Sequence, residues 1–212
     1  MEPFIELTAV AAILLEANIN TDDILPSVWV LNADTDLGQK LFANRRYDAN
    51  GHETNFILNR DPFRQARILI AGVNFGCGSS REAAVWALKR FGISCLIAPS
   101  FGDIFYENCF MNGILAIQVD APTAHRIAAA LQATTKYVMK VDLRNCILQV
   151  GDTPPYRFSV AAERREALLG GLDSYAQMLR WKSDIGTFEA RDALERPWVY
   201  DCPLHTKAQT RK

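Results

Sequence analysis

The chain has 212 residues, 49% of them hydrophobic and 22% charged, with a formal net charge of −1. That length buries a sizeable core and predicts one domain over residues 1–200 followed by a polar tail at 201–212. The near-zero charge gives no electrostatic case for nucleic acid or an anionic membrane surface as partner.

Residues 4–17 are mostly apolar and predict one strand or a strand pair. Within them the run Ala9 to Leu15 is too short to span a bilayer, and Glu2 and Glu6 argue against a secretory signal. A cytoplasmic protein is expected. Asn18-Ile19-Asn20-Thr21-Asp22-Asp23-Ile24-Leu25-Pro26 then reads as a polar turn closed by proline. Its Asn, Thr and Asp side chains suit bonds to their own backbone, or a polar edge facing a site. Residues 27–64 are the irregular part: Val28-Trp29-Val30-Leu31 is apolar, whereas Asn32 to Asp36 and Tyr47 to Asn55 are turn-rich. A segment of that length with weak periodicity predicts a functional loop or lid. No Lys or Arg precedes Lys40, while Asp34 and Asp36 lie in the loop. Arg45, Arg46, Arg60, Arg64 and Arg67 follow, and are expected on a solvated surface.

From there the pattern becomes regular. Ile68–Val73 predicts a buried strand, Ser80–Phe91 a helix closed by Gly92, and Cys95–Ala98 a second strand, which together make a βαβ unit. A helix over Phe101–Phe110 has Ser100 as its cap candidate, a strand follows at Ile114–Val119, and Pro122 opens a helix reaching about Ala133. Alternating strands and helices imply an α/β fold with a mostly parallel sheet flanked by helices. Short β segments are added at Tyr137–Leu143, Cys146–Val150 and Tyr156–Val160. Beyond Ala161 the chain is helical, broken at Gly170-Gly171, with Asp173 opening a helix that sets Tyr175, Met178, Leu179 and Ile185 on one face.

Chemistry concentrates in Asn74-Phe75-Gly76-Cys77-Gly78-Ser79-Ser80-Arg81-Glu82, between a strand and the first turn of a helix. Unpaired N–H groups beside the positive end of a helix dipole, two hydroxyls and a guanidinium compose an anion site. Three familiar loops are excluded. No Lys-Ser or Lys-Thr follows the glycines as in a P-loop, Arg81 stands where G-x-G-x-x-G needs glycine, and Cys77 sits where a nucleophile elbow needs serine. Arg81 has the shape to grip a carboxylate with two bonds. A plain glycine turn capped by serine is the other way to read the stretch. Cys77, Cys95, Cys109, Cys146 and Cys202 form no CxxC pair, and His52, His125 and His205 are scattered, so no metal-ligand set is expected.

The loop together with Ile97-Ala98-Pro99-Ser100-Phe101-Gly102-Asp103-Ile104-Phe105 closely resembles the small-subunit family of the 3-isopropylmalate dehydratases, which is similar to the swivelling fourth domain of aconitase. Asn20 to Pro26 looks like that family's N-terminal motif and Gly171-Leu172-Asp173-Ser174 like its C-terminal one. The resemblance implies a swivelling β/β/α domain and half of a two-chain hydro-lyase. That enzyme isomerises 2- and 3-isopropylmalate by dehydration and rehydration in leucine biosynthesis. The partner it implies is a large subunit bearing a [4Fe–4S] cluster, and the substrate a small dicarboxylate. By the family pattern Ser79 is the alkoxide base and catalytic Arg81 holds the substrate carboxylate with Ser80. Gly78, Thr21 and Asp22 join the substrate-binding set, and Arg46, swinging in for the basic residue the loop lacks, is expected to complete it. Two departures keep other readings open: Ala83 stands where the family usually has histidine, and Val28 to Asp36 carries no basic residue. A paralogue acting on another substituted malate, or a non-catalytic partner of such a complex, are those readings.

Overall fold

One long strand, β1 (Glu6–Leu14), joins two kinds of β-structure. Its second half runs parallel to β2 (Ile68–Ala71), from Ala11 opposite Ile68 to Leu14 opposite Ala71. Its first half runs antiparallel to β5 (Val138–Asp142), from Glu6 opposite Asp142 to Val10 opposite Val138. With β3 (Cys95–Ala98), β4 (Leu115–Gln118), β6 (Ile147–Val150) and β7 (Tyr156–Arg157), the sheet has seven strands in the order β4-β3-β2-β1-β5-β6-β7. The fold is α/β with a mixed sheet, parallel from β1 to β4 and antiparallel from β1 through β7. The computed structural model from which these elements come describes residues 1–30 and 36–200. Leu31, the turn residues from Asn32 to Thr35 with Asp34 among them, Cys202, His205 and the tail at 201–212 lie outside the described residues.

Burial explains the division. Every residue of β2 and β3 is buried, as parallel strands covered on both faces require, whereas β5 alternates. The cover over the parallel half comes from the crossover helices α3 (Glu82–Phe91) and α4 (Asp103–Met111) and from α5 (Ala121–Gln132), which leads on to β5. α3 packs through Ala83, Ala84, Val85, Ala87 and Leu88, small enough for close approach, and ends at left-handed Gly92. Asp120 caps α5 by accepting from the Thr123 amide.

Three boundaries differ from expectation for local reasons. α3 begins at Glu82 rather than Ser80, because Arg81 keeps an extended backbone and no side chain caps the end. α4 begins at Asp103 after Gly102, and Ser100 does not cap it. β7 stops at Arg157, three residues short of Val160. The segment expected as a functional loop or lid is packed down in its described parts. Leu37, Leu41, Phe42, Leu58 and Phe63 are buried in the main core, in turns and short 3-10 turns that accompany the single-turn helices α1 (Thr21–Ile24) and α2 (Ala43–Arg46).

The chain forms two compact units, Met1–Asp173 and Ser174–Lys212. The first ends with α6 (Ala162–Gly170), closed by left-handed Gly171. The second holds α7 (Ser174–Leu179), α8 (Lys182–Glu195) and α9 (Pro197–Tyr200). Ile185 therefore sits on a different helix from Tyr175 and Met178. Within this unit Asp192 is buried and accepts from Arg196 Nε at 2.6 Å and from the Tyr200 hydroxyl at 3.0 Å. Among the described residues no helix is long and apolar enough to cross a membrane.

Candidate functional site

The parallel strands β1, β2 and β3 end on one edge of the sheet, and the chain beyond each keeps their order for a few residues. Asn20 bridges to Cys77 and Phe75 to Phe101, both in parallel sense. The Gly76 amide donates to Ile19 O at 2.7 Å, the Thr21 amide to Cys77 O at 2.9 Å, and the Gly102 amide to Phe75 O at 2.9 Å. Residues 18–21, 74–79 and 100–102 are thus woven into one platform at the carboxyl ends of the strands, the edge where α/β sheets receive ligands.

Close packing beneath the platform dictates one of its glycines, and a left-handed backbone favours the other. Gly76 has φ +73° and its backbone lies against the Phe105 ring, where an added Cβ would fall 2.2 Å from the nearest ring carbon. Gly78, at φ +95°, has open space, the nearest atom to such a Cβ being 3.5 Å away. Phe75, Phe101 and Phe105 form an aromatic cluster there, with centroids 5.6 to 6.5 Å apart. Asn74 also takes a left-handed conformation, and its amide donates to Ser100 Oγ at 2.9 Å. Ser100, expected to cap a helix, instead anchors the loop.

On the platform the side chains meet as follows. Gly78, Ser79 and Ser80 are exposed, and among the described residues their amides make no hydrogen bond. Three backbone donors are therefore free beside the positive end of α3. Thr21 is buried at 1% exposure, with Oγ1 3.1 Å from Ser79 O and 3.2 Å from Ser79 Oγ. Arg81 donates through one terminal nitrogen to Asp22 Oδ1, and both side chains are partly exposed. Glu82, at the start of α3, accepts from Asn112 Nδ2 at 2.8 Å and is tied to the end of α4. Cys77 is half-buried with Sγ 3.5 Å from Asn18 O. Six of the seven residues expected at the site (Thr21, Asp22, Gly78, Ser79, Ser80 and Arg81) come together on this edge. The reading of the stretch as a turn capped by serine fails, since neither hydroxyl caps α3.

Arg46 does not join them. It is 7% exposed, donating through Nε to Asn59 Oδ1 at 2.8 Å and from its terminal nitrogen to Gln39 O and Leu41 O at 3.4 and 3.5 Å. Its guanidinium also lies 5.3 Å from the Tyr47 ring centroid and 5.2 Å from that of Phe91. It clamps the irregular segment, so the expected substrate contact gives way to a structural role. Arg45 beside it pairs with Glu16, holding that carboxyl below its ordinary range. Sequence reasoning missed Asn18, Asn74 and Ser100, whose polar groups brace the loop. A non-glycine residue flanking a glycine loop was the available signal for Asn74, and nothing local pointed to Ser100.

Chemically the edge presents an exposed hydroxyl, three free amides and a guanidinium, an array suited to an anionic ligand. Among the described residues no three His, Cys, Asp or Glu side chains converge to hold a metal ion. Cys95 and Cys109 are buried in the core and burial pushes both thiols up, so neither is disposed to ligate.

The profile of the aconitase C-terminal domain family matches residues 1–122. Relatives named 3-isopropylmalate dehydratase small subunit include one from Rhodospirillum centenum, 45% identical over 94% of this chain and 99% of its own. Others come from Dinoroseobacter shibae, 43% identical, and Rhizobium etli, 42% identical, each over 94% of this chain and 100% of theirs. In fold, a 3-isopropylmalate dehydratase chain from Methanocaldococcus jannaschii is similar with a TM-score of 0.61 and 24% identity, over 86% of this chain and 99% of that one.

Proposed function

The chain belongs to the aconitase C-terminal domain family, among the small subunits of 3-isopropylmalate dehydratase, and from that membership we propose that it is the small subunit of a two-chain hydro-lyase. The reaction interconverts 2- and 3-isopropylmalate by loss and return of water, as a step in leucine biosynthesis. A cytoplasmic assembly with a large subunit is the working form. Among the described residues of this chain no converging ligand set offers itself to an iron–sulfur cluster. The cluster belongs, on this reading, to the large subunit, where a Lewis acid would weaken the bond to the departing hydroxyl.

This chain's own contribution is the proton and the carboxylate. Ser79 Oγ, as alkoxide, takes the proton from the carbon beside a substrate carboxylate and becomes the neutral hydroxyl. During rehydration the hydroxyl gives a proton back to carbon, which restores the alkoxide. Free amides at Gly78, Ser79 and Ser80 offset the negative charge of the alkoxide or the ligand, a stabilisation that is strongest where water is excluded. Arg81 turns from Asp22 to grip the carboxylate. With Arg46 held in the scaffold, the remaining polar groups of the substrate fall to the other subunit. The observation that carries this reading is the placement of Ser79 beside unoccupied amide donors and Arg81 on the carboxyl edge of the parallel strands.

The test is co-expression with a large subunit and assay of a panel of substituted malates. Ser79→Ala should leave the complex assembled and lower turnover of 2-isopropylmalate by about 10²–10⁴-fold, the usual weight of a positioned base. A Ser79→Ala complex with full turnover refutes the role of Ser79. Preference for a malate without the isopropyl group refutes the substrate.

A further inference from the structure

Thr21 lies deeper than a substrate contact should. It is 1% exposed, while the serine it touches is open to solvent. Its main chain is fixed from several directions. Asn20 Oδ1 accepts from the Asp22 and Asp23 amides at 2.8 Å each, and Asp23 Oδ2 accepts from the Asn20 amide at 3.2 Å. The Thr21 amide is bound to Cys77 O and the Leu25 amide to Thr21 O. A β-branched side chain on so constrained a backbone has little rotational freedom.

That leaves the hydroxyl hydrogen as the one part free to turn. Thr21 Oγ1 has Ser79 O at 3.1 Å and Ser79 Oγ at 3.2 Å, and a hydroxyl has a single proton to donate. While Ser79 is protonated, Thr21 donates to the carbonyl and accepts from the serine hydroxyl. Once Ser79 has lost its proton, Oγ can only accept. The Thr21 hydrogen then swings to it without any heavy atom moving, giving a charge-assisted bond about twice as strong as a neutral one. Throughout, the Thr21 proton stays on Thr21.

We propose that Thr21 is the positioning residue of Ser79, fixing its rotamer and supplying the side-chain donor that favours its alkoxide. This rests on the reading of Ser79 as the base. It reassigns Thr21 from substrate binding, because the hydroxyl is buried and its one proton is committed to Ser79.

The test uses the assembled two-chain enzyme. Thr21→Val keeps the shape and removes the hydroxyl; kcat should fall about 10–100-fold, below the loss seen for a dedicated oxyanion donor because the amides remain. KM should stay within about twofold, and Thr21→Ser should retain kcat within about threefold. Thr21→Val with unchanged kcat, Thr21→Ser as slow as Thr21→Val, or a loss confined to KM each overturns the proposal. If Thr21→Val fails to assemble, the pair Thr21→Ala and Thr21→Ser, differing only in the hydroxyl, gives the same comparison. Ser79→Ala separates the two claims. A fully active Ser79→Ala complex removes the base itself, whereas an inactive one beside an unimpaired Thr21→Val removes only the role of Thr21.

Discussion

Gly76 and Gly78 flank Cys77 in the same loop with φ of +73° and +95°, yet alanine at the two should behave differently. Both substitutions impose left-handed strain of about 1–2 kcal/mol, and both regain about 0.4–1 kcal/mol by restricting the unfolded chain. At Gly78 that is the whole effect, a net cost of about 1 kcal/mol, since no atom lies within 3.5 Å of the added carbon. At Gly76 the carbon would lie 2.2 to 2.7 Å from three atoms of the Phe105 ring. Phe105 is 3% exposed and stacked on Phe101, so it has nowhere to retreat. Overpacking adds about 1–3 kcal/mol, which brings Gly76→Ala to about 2–4 kcal/mol. Urea unfolding of the two variants beside the parent reads the difference. With a slope near 2 kcal/mol per molar, a gap of about 2 kcal/mol separates the midpoints by about 1 M. Equal midpoints would refute the account of why the loop lies so close to α4.

Arg46→Met should destabilise the chain by about 2–4 kcal/mol, because buried Asn59 and two carbonyls lose their donor. Substrate KM of the assembled enzyme should not change, and a raised KM at unchanged melting temperature would return Arg46 to the substrate. Glu16→Gln tests a pH dependence. Its hydrogen bond with Arg45 holds the folded carboxyl below the ordinary 4.5, so the stabilisation is complete above that pH and is lost as pH falls through the folded value. The pair is mostly exposed, so the gap between parent and variant should be under about 1 kcal/mol at pH 7 and should close below pH 4.5. A gap that widens in acid contradicts the sign. In alkylation of the native chain at neutral pH, half-buried Cys77 and Cys146 should react before Cys95 and Cys109, whose thiols burial keeps protonated. Peptide mapping that finds Cys95 modified in the folded state would count against its burial.

The parallel half of the fold was readable because its strands are short apolar runs punctuated by Gly92 and Gly113, and periodicity registers such runs. What it could not register was that β1 changes partner between Val10 and Ala11, since pairing is not a local property. Helix starts were misplaced where a serine looked like a cap. Ser80 and Ser100 have the right chemistry, but the loop places Arg81 and Gly102 at the turns and uses Ser100 for Asn74. At the site, the glycine–serine–arginine string was visible as a string. The depth of Thr21 and the burial of Arg46 depend on segments far apart in sequence, 58 residues between Thr21 and Ser79. Charge alone made Arg46 look available; only packing showed what holds it.

The divided allegiance of β1 also bears on solubility. A strand with one free side is a template for a second chain, and the N-terminal half of β1 has only β5 to occupy that side. The antiparallel segments after Gln132 therefore act as a guard rail for that first half, Glu6 to Val10. Stripped of them, that stretch of β1 would offer its backbone to copies of the chain.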